Sequence, residues 1–427
     1  MAPVTHHAAE KAGSFLAISG LVVFGLLTGI ALWASALDPL FVRVHLFEGL
    51  ISVGLFSVVV AATGLVFVVD VWRGTEVDDL PTSGPLVQAI IPAYRDANVV
   101  DESVTSLLES DYDPLRIAIV VEPDDAATRS GAEALAARYE PVECLVNDDP
   151  GSKATAINCA VRRSEADHFV VFDADERASP EFVPVAMNAL RGDTDVFQGR
   201  RVPRPTGAIE TLAYCERIVV QAGYLIGELV GFTHCQSSAT GFTRDAIESV
   251  GGYADVLTED IYFSHQCYQA DLSVTRNRCC TSTMEAPHTL RDLWAQRKRW
   301  RIGHVQVAHL RIREALGNGV GLGDAVTVGR AVGAVVAGAA LVILAVHVLF
   351  LFVVDTGAAL VPFTSIFGMI GGVWARDTQA GRVGLPSWSV LLSPLVYLGH
   401  GVLTVKAILE YLLTWEGEWY RVSKTGS

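Results

Sequence analysis

The stretch Val170-Val171-Phe172-Asp173-Ala174-Asp175 decides the fold, because an apolar run ends there in two carboxylates separated by one residue. Two similar apolar runs precede it, at residues 87–91 and 117–121, and helix-like segments lie between the runs. Short strands that alternate with helices predict a parallel α/β sheet. Because ligands of such sheets bind at the carboxyl ends of the strands, we expect Asp173 and Asp175 to border a binding site.

The Asp-x-Asp pattern also suggests a specific chemistry. Carboxylate oxygens are hard ligands, so Asp173 and Asp175 could hold Mg²⁺ or Mn²⁺ against a diphosphate. Acidic residues after a strand are also common in solvated turns and helix caps. The pair alone therefore leaves a metal site and a plain turn open.

The composition predicts a membrane protein, because 51% of the 427 residues are hydrophobic and only 19% are charged. A helix needs about 20 apolar residues to cross a bilayer. Pro362 interrupts one short apolar stretch, which could be a span or a re-entrant segment. Two apolar stretches precede the α/β region and three follow it: residues 13–37, 47–69, 331–354, 358–375 and 388–413.

The charge distribution indicates partners and orientation. A net charge of −15 argues against nucleic acid as a partner, since phosphate binding depends on Lys and Arg. Seven Lys or Arg residues lie between positions 291 and 313, whereas the loop between the first two apolar stretches offers only Arg43. By the positive-inside rule, the central domain faces the cytoplasm and the protein is integral to the cell membrane.

Two further segments carry candidate site residues. Thr258-Glu259-Asp260 precedes a helix-like segment, so it could be a catalytic turn or an ordinary helix cap. In the segment from Gln296 to Trp300, Gln296, Arg299 and Trp300 would share one face of a helix. A basic, aromatic helix is also typical of a membrane-surface anchor. We expect its flanking arginines to reach lipid headgroups: Arg291, Arg297, Arg301 and Arg311.

Taken together, these motifs resemble those of the membrane-integrated family 2 glycosyltransferases, the group that includes cellulose, hyaluronan and chitin synthases and ceramide glucosyltransferase. The resemblance covers roughly residues 85–302. It rests on an ordered set of segments: Ile91-Pro92-Ala93-Tyr94-Arg95-Asp96, Glu122-Pro123-Asp124-Asp125, Gly151-Ser152-Lys153 through Asn158, Asp173-Ala174-Asp175, Thr258-Glu259-Asp260 and Gln296-Arg297-Lys298-Arg299-Trp300.

The resemblance implies an α/β GT-A fold, a Rossmann-like domain for nucleotide-sugar binding, inserted between N-terminal and C-terminal transmembrane helices. Trp419 to Thr425 weakly resembles the gating loop of cellulose synthase, out of register by one residue, and could equally be a basic tail. The implied organisation is a transmembrane hairpin at 13–72, a GT-A domain at 85–302, an interfacial helix and linker at 303–330, a transmembrane region at 331–413 and a tail at 414–427.

The resemblance also implies the residues that bind the donor, a UDP-sugar. Tyr94 and Asp96 match the segment that contacts the nucleobase. Glu122 and Asp124 match the acidic pair that recognises uracil, although the pattern Glu-Pro-Asp-Asp leaves open which carboxylate does so. Lys153 matches the lysine that approaches the nucleotide.

The remaining implied roles concern catalysis. Asp173 and Asp175 would bind the divalent metal, with Asp173 also on the nucleotide-sugar, and Asp260 would be the general base. Glu259 would lie on the acceptor side. The motif residues Gln296, Arg299 and Trp300 would hold the nucleotide-sugar, and Trp300 would also border the acceptor.

The leading interpretation is an inverting, metal-dependent hexosyltransferase that extends a polysaccharide. A second is an enzyme that glycosylates a lipid acceptor once, because hydropathy cannot identify pore-facing helix surfaces. A third is a non-catalytic carbohydrate-binding or transport subunit, which would not be expected to retain all the motif carboxylates. Membrane lipids are expected contacts, and the sequence does not identify an accessory or second identical subunit.

Overall fold

The computed structural model describes residues 39–74, 79–318, 321–415 and 424. The predicted apolar stretch at 13–37 and most of the predicted tail at 414–427 lie outside these residues.

The middle of the chain alternates strands with helices, as the apolar runs predict. The strands are β1 (Ser83–Ala93), β2 (Asp113–Val121), β3 (Val142–Val146), β4 (His168–Val171), β5 (Arg177–Ala178), β6 (Val196–Pro203), β7 (Thr240–Thr243) and β8 (Val274–Met284). The helices of this region, with one before it, are α1 (Pro39–Arg73), α2 (Val100–Leu108), α3 (Ala126–Arg138), α4 (Lys153–Arg163), α5 (Phe182–Leu190), α6 (Ala208–Glu228), α7 (Arg244–Ser249) and α8 (Glu259–Gln269).

The eight strands form one mixed sheet in the order β3-β2-β1-β4-β7-β6-β8-β5. The first four are parallel, which confirms half of the predicted parallel sheet. The prediction is wrong at β7, which runs antiparallel to both β4 and β6, and at β5, which runs antiparallel to β8. The pair β6–β8 is again parallel. Strand β7, Thr240-Gly241-Phe242-Thr243, is short and half polar, so it lacks the apolar run that marks the other strands.

Both faces of the sheet are covered. Val170 and Phe172 pack into one apolar cluster and Phe169 and Val171 into another, because successive side chains of a strand point to opposite faces. A strand buried on both faces reads as a continuous apolar run, which is why β4 is visible in the sequence. The run ends where the chain leaves the core, so Asp173 lies at the sheet's carboxyl edge.

The rest of the chain is helical. The helices are α9 (Leu290–Asn318), α10 (Leu322–Val354), α11 (Thr356–Gln379) and α12 (Leu395–Thr414), with a 3₁₀ turn at Trp388–Leu392. Four helices of the described chain, α1, α10, α11 and α12, are long and apolar enough to cross a membrane. Pro362 lies inside the continuous helix α11, which favours a span over a re-entrant segment there.

A buried ion pair joins the α/β domain to the apolar helices. Arg200 of β6 pairs with Asp377 of α11, and the Tyr214 hydroxyl donates to the same carboxylate over 2.7 Å. Arg278 of β8 pairs with Asp70 of α1 at 3.0 Å. Because breaking a buried pair leaves an uncompensated charge, these contacts fix the domain against the helices.

Candidate active site

The carboxyl end of β4 carries the first group of site residues. The Asp173 backbone N–H donates to Ser238 Oγ over 2.8 Å, and the Asp173 carboxylate contacts both Lys153 Nζ and the Arg201 guanidinium. Burial alone would raise the pKa of Asp173, but the charges of Lys153 and Arg201 outweigh it and hold that pKa well below its usual range. Asp173 is therefore ionised at all physiological pH values.

Asp175 lies beside a cation that the sequence did not predict there. Lys424 Nζ lies 3.0 Å from Asp175 Oδ1 and 3.1 Å from Asp96 Oδ1, and Asn98 Nδ2 donates to the Lys424 carbonyl over 2.8 Å. Asp175 Oδ2 accepts from the Glu285 backbone N–H at 3.2 Å. Two carboxylates therefore converge on one positive charge, which is the arrangement that a bound cation requires.

The predicted metal residues fit a divalent cation that shares its ligands with a substrate. In the described part of the chain, no three His, Cys, Asp or Glu side chains form a complete metal cage. Magnesium-type ions in phosphate sites commonly take only one or two protein carboxylates, the rest being phosphate and water oxygens. Asp173 and Asp175 can supply those carboxylates.

At the ends of β1 and β2, the structure separates three acidic side chains by what they contact. Both carboxylate oxygens of Glu122 are engaged, by Asn147 Nδ2 at 2.8 Å and by the Gly151 N–H at 3.0 Å. Asp125 caps α3 by accepting from the Thr128 N–H. Asp124 is exposed, 3.5 Å from the Tyr94 hydroxyl. Tyr94 and Asp124 are thus the exposed pair at this edge of the sheet, while Glu122 holds the loop before Lys153.

Asp96 is less accessible than its predicted nucleobase contact would suggest, and Asn158 is engaged by backbone hydrogen bonds. Asp96 is buried, and its backbone N–H donates to Thr128 Oγ1 over 2.9 Å. Asn158 makes two hydrogen bonds with the Tyr253 backbone, at 2.8 and 3.0 Å. Gly252 has a φ of +85° and lies against Asn158, where a side chain would collide. These contacts join α4 to the loop that leads to Asp260.

The turn at Thr258-Glu259-Asp260 begins α8, and its two carboxylates differ. Glu259 is buried and accepts from Ser237 Oγ at 2.7 Å, whereas Asp260 is partly exposed and accepts from the Ile261 N–H at 2.8 Å. Burial, followed by the negative charge of Glu259, raises the pKa of Asp260 to about 6. Such a carboxyl is ionised at neutral pH yet basic enough to take a proton.

The helix α9 carries the Gln296, Arg299 and Trp300 motif to this turn. Arg299 donates to the Leu257 carbonyl over 2.8 Å, and the Leu257 N–H donates to Gln306 Oε1 at 3.0 Å. Lys298 points elsewhere, pairing with Glu410 of α12 at 3.2 Å. As the helical spacing predicts, Arg299 and Lys298 lie on different faces.

The expectation that Arg297 and Arg311 reach lipid headgroups is wrong. Arg297 is buried, pairs with Glu216 at 2.5 Å and stacks 4.1 Å from the Trp300 ring centroid. Arg311 is also buried, with Glu314 2.7 Å away. Carboxylates on neighbouring turns and helices make these positions interior, which a count of basic residues along the chain cannot reveal.

Sequence reasoning also missed residues that only the fold brings to the site. The consecutive Arg200 and Arg201 of β6 point to opposite faces, Arg200 to Asp377 and Arg201 to Asp173. Glu176 accepts from Arg201 Nε at 2.6 Å. Arg217 of α6 lies 5.1 Å from the Trp300 ring centroid. In the sequence, the signal for these residues is a charged side chain within an otherwise apolar strand or helix.

Comparison with known proteins agrees with this geometry. Residues 88–251 match the model of Glycosyl transferase family 2. The chain is 27% identical over 267 residues to cellulose synthase 1 catalytic subunit of Komagataeibacter xylinus, covering 57% of this chain and 34% of that protein. It is 22% identical over 232 residues to poly-beta-1,6-N-acetyl-D-glucosamine synthase of Staphylococcus aureus, covering 51% of this chain and 54% of that protein.

The chain thus spans about a third of one of these relatives and about half of the other. Among solved structures, a mannosyltransferase from Pyrobaculum calidifontis in complex with GDP-Man and Mn²⁺ matches 86% of this chain and 99% of its own. The TM-score is 0.50 at 16% identity, which supports a common fold. Residues 88–251 are thus similar to family 2 glycosyltransferases, and the chain has a GT-A-like α/β fold that apolar helices flank.

Proposed function

We propose that this protein is an inverting hexosyltransferase that moves a sugar from a UDP-sugar to an acceptor hydroxyl at the membrane. The observation that carries the proposal is the pair of environments around Asp173 and Asp260. One carboxylate is kept ionised among cations, and the other has its pKa raised to about 6 beside the motif arginine. A transferase can use both, the first to hold the cation that neutralises a diphosphate and the second to take a proton.

The reaction is a single displacement. The acceptor oxygen attacks the anomeric carbon, its proton passes to the Asp260 carboxylate, and the bond from that carbon to the diphosphate oxygen breaks with its electron pair on UDP. One base suffices, so the configuration at the anomeric carbon inverts. Arg299, whose charge lies near those of Glu259, Asp260 and Asp173, would offset charge on the departing diphosphate.

A divalent metal, Mg²⁺ or Mn²⁺, would be held by Asp173 and Asp175 and would supply positive charge to the leaving diphosphate. The ion pair between Asp175 and Lys424 supports this, since one of the two proposed ligands already attracts a cation in the structure. The Pyrobaculum protein, whose solved complex contains GDP-Man and Mn²⁺, offers the same combination of nucleotide-sugar and metal.

At the other end of the site, Tyr94 and Asp124 would contact the base, and Lys153 would approach the nucleotide. Trp300 and Glu259 would border the acceptor. The domain would face the cytoplasm of the cell membrane. These assignments follow from the family motifs and from the exposure of Tyr94 and Asp124.

Two acceptor classes agree with this site. The polymer synthases among the relatives support a growing polysaccharide. A lipid acceptor is supported by an apolar cavity of about 320 Å³ between α6, α10 and α12. Retention of Asp173, Asp175, Asp260, Arg299 and Trp300 disfavours a non-catalytic subunit.

A donor screen tests the proposal. Purified protein in lipid nanodiscs would receive UDP-glucose, UDP-N-acetylglucosamine, UDP-galactose or UDP-glucuronate with Mg²⁺ or Mn²⁺, and UDP release would be measured. We expect release with at least one donor and none from the Asp260→Asn variant. Absence of UDP release from every donor, with GDP-mannose turned over instead, would reject the UDP-sugar assignment.

A further inference from the structure

Arg217 is a buried cation that lies against Trp300 and has no acidic partner of its own. The residue is 7% exposed, and its guanidinium carbon lies 5.1 Å from the Trp300 ring centroid. In the described ranges of the chain, its side chain forms no hydrogen bond or ion pair. Burying a charge in this way is costly unless a counter-ion compensates it.

Nearby buried arginines are compensated. Arg200 pairs with Asp377, Arg201 with Asp173 and Glu176, and Arg297 with Glu216. Arg217 differs from these three arginines because, in the described residues, it has no carboxylate partner.

The surroundings of Arg217 keep an excess of positive charge. Glu216 is the carboxylate closest in sequence, and it is already held by Arg297 at 2.5 Å and by His400 Nε2 at 2.5 Å. Arg301 Nε donates a hydrogen bond to a histidine nitrogen, His400 Nδ1, over 3.1 Å. Burial, with the nearby charges of Arg201 and Arg297, lowers the pKa of Arg217 to about 10, so it stays protonated at neutral pH.

An apolar cavity is lined by neighbours of Arg217 in α6, among them Glu216 and Val220, although Arg217 itself is not a lining residue. The volume of the cavity is about 320 Å³, and one end is polar, at Glu216, Arg301 and His400. Arg217 shares a face of α6 with two lining residues, Val220 and Tyr224, by the spacing i, i+3 and i+7. The remaining walls are mostly small or aliphatic and come largely from α10 and α12, which are candidate membrane spans: Val219, Ala334, Ala337, Leu341 and Val396.

Two hydroxyl groups in the cavity wall also lack hydrogen bonds in the described structure. Ser393 Oγ and the Tyr397 hydroxyl are buried and have no hydrogen-bond partner in the described structure. Buried hydroxyls usually find partners, so their state indicates that the cavity receives a molecule with polar atoms as well as an apolar part.

We propose that Arg217 and this cavity bind an acceptor of one class, an amphiphile that carries an apolar chain, an anionic group and a free hydroxyl. Arg217 pairs with the anionic group, the aliphatic walls take the chain, and the hydroxyl is the nucleophile that gives its proton to Asp260. This inference rests on the proposed transferase function and selects a lipid acceptor from its alternatives. Arg217 acts as a specificity-determining residue.

Two lipids with matched acyl chains test the charge requirement. Dioleoyl phosphatidylglycerol carries an anionic phosphate and free hydroxyls, whereas dioleoylglycerol is neutral with one hydroxyl. Each would be offered to the full chain in phosphatidylcholine nanodiscs with the active UDP-sugar, and glycolipid would be quantified by mass. We expect kcat/KM for the anionic lipid to exceed that for the neutral lipid by about tenfold or more, the value of one charged hydrogen bond.

The Arg217→Gln variant should abolish this preference by raising KM for phosphatidylglycerol about 10- to 100-fold. Its dissociation constant for UDP, measured by calorimetry, should stay within about twofold of wild type. The matched control is Arg291→Gln, which removes an exposed arginine and should leave both values unchanged. Arg217→Lys would retain part of the preference, since it keeps the charge.

A second pair of variants tests the cavity. Ala337→Leu fills space in its wall, and Ala340→Leu makes the same change at an exposed position of α10 that does not line it. We expect Ala337→Leu to reduce transfer to phosphatidylglycerol several-fold while Ala340→Leu does not. Equal effects of the two substitutions on transfer would show that the cavity does not bind the acyl chain.

Four further results would overturn the inference. Wild type without a preference for the anionic lipid would reject the substrate class, and a preference retained in Arg217→Gln would reject Arg217 as its cause. If Arg217→Gln weakened UDP binding as much as it raised KM for phosphatidylglycerol, Arg217 would instead be a residue that binds the donor diphosphate. If wild type releases UDP with a soluble oligosaccharide but ignores both lipids, this inference fails while the proposed function stands.

Discussion

Asp173 and Asp260 are two aspartates of one site whose surroundings move their pKa values in opposite directions. At the end of β4, the cations Lys153 and Arg201 lower the pKa of Asp173 despite its burial. At the start of α8, burial and the like charge of Glu259 raise the pKa of Asp260 to about 6. The same side chain is therefore prepared for a permanent charge in one place and for proton transfer in the other.

The difference teaches that the roles are set by the neighbours rather than by the residue type. Removing a carboxylate at the end of β4 should leave the charge on the departing diphosphate uncompensated. Changing Asp260 should preserve UDP binding and remove the general base. The predictions below separate these two effects, beginning with the largest.

The most severe loss should follow from removing the cation site at the end of β4. Asp175→Ala should leave no detectable turnover, and excess chelator should do the same to wild type, because charge on the leaving diphosphate would be uncompensated. UDP release measured over a titration of Mn²⁺ and Mg²⁺ checks this. Full activity in excess chelator would contradict the metal assignment.

Asp260→Asn should reduce turnover about 100- to 10,000-fold, the usual contribution of a general base. The amide keeps the shape of the carboxylate but cannot accept the acceptor's proton. Calorimetry should find nearly unchanged UDP affinity, in contrast to a variant of the metal site. A variant that turns over normally at saturating donor but binds UDP poorly would show that Asp260 serves the donor.

Arg299→Lys should lower kcat/KM about 10- to 100-fold although the charge is kept. An ammonium cannot reproduce the planar guanidinium contacts with the Leu257 carbonyl and with phosphate oxygens. Steady-state kinetics would be compared with the exposed control Arg291→Lys, which should match wild type. Equal activity of both variants would mean that the helix α9 serves only as an anchor.

The smallest effect should come from Glu259→Gln. Removing its negative charge takes away one of the two causes that raise the pKa of Asp260, so the acidic limb of the pH–rate profile should move to lower pH. The profile of kcat/KM measures this shift directly. An unchanged limb would mean that Glu259 does not act on Asp260 through its charge.

Much of the α/β domain could be predicted because β1, β2 and β4 are buried on both faces and thus read as apolar runs. The antiparallel β7 could not, since its polar residues make it look like a loop. Its pairing with β4 and β6 is decided by contacts with strands distant in sequence.

The motif residues of the site were predictable because they recur in a fixed order, and the structure brings Asp173, Lys153, Asp260 and Arg299 into one electrostatic neighbourhood. Arg201 and Arg217 were not, because their roles depend on which side chains from other elements they meet. A buried charge and its partner lie on different elements, so they produce no periodic pattern in the sequence.

The measurement that tests the account most directly is the pH dependence of kcat/KM for UDP release by the wild-type protein. Because Asp260 must be ionised to act as base, the rate should be constant above its pKa and fall about tenfold per pH unit below a midpoint near 6. Asp173 should add no second limb in this range, since its pKa is lowered. A rate that stays constant down to pH 4.5 would contradict Asp260 as a base with a raised pKa.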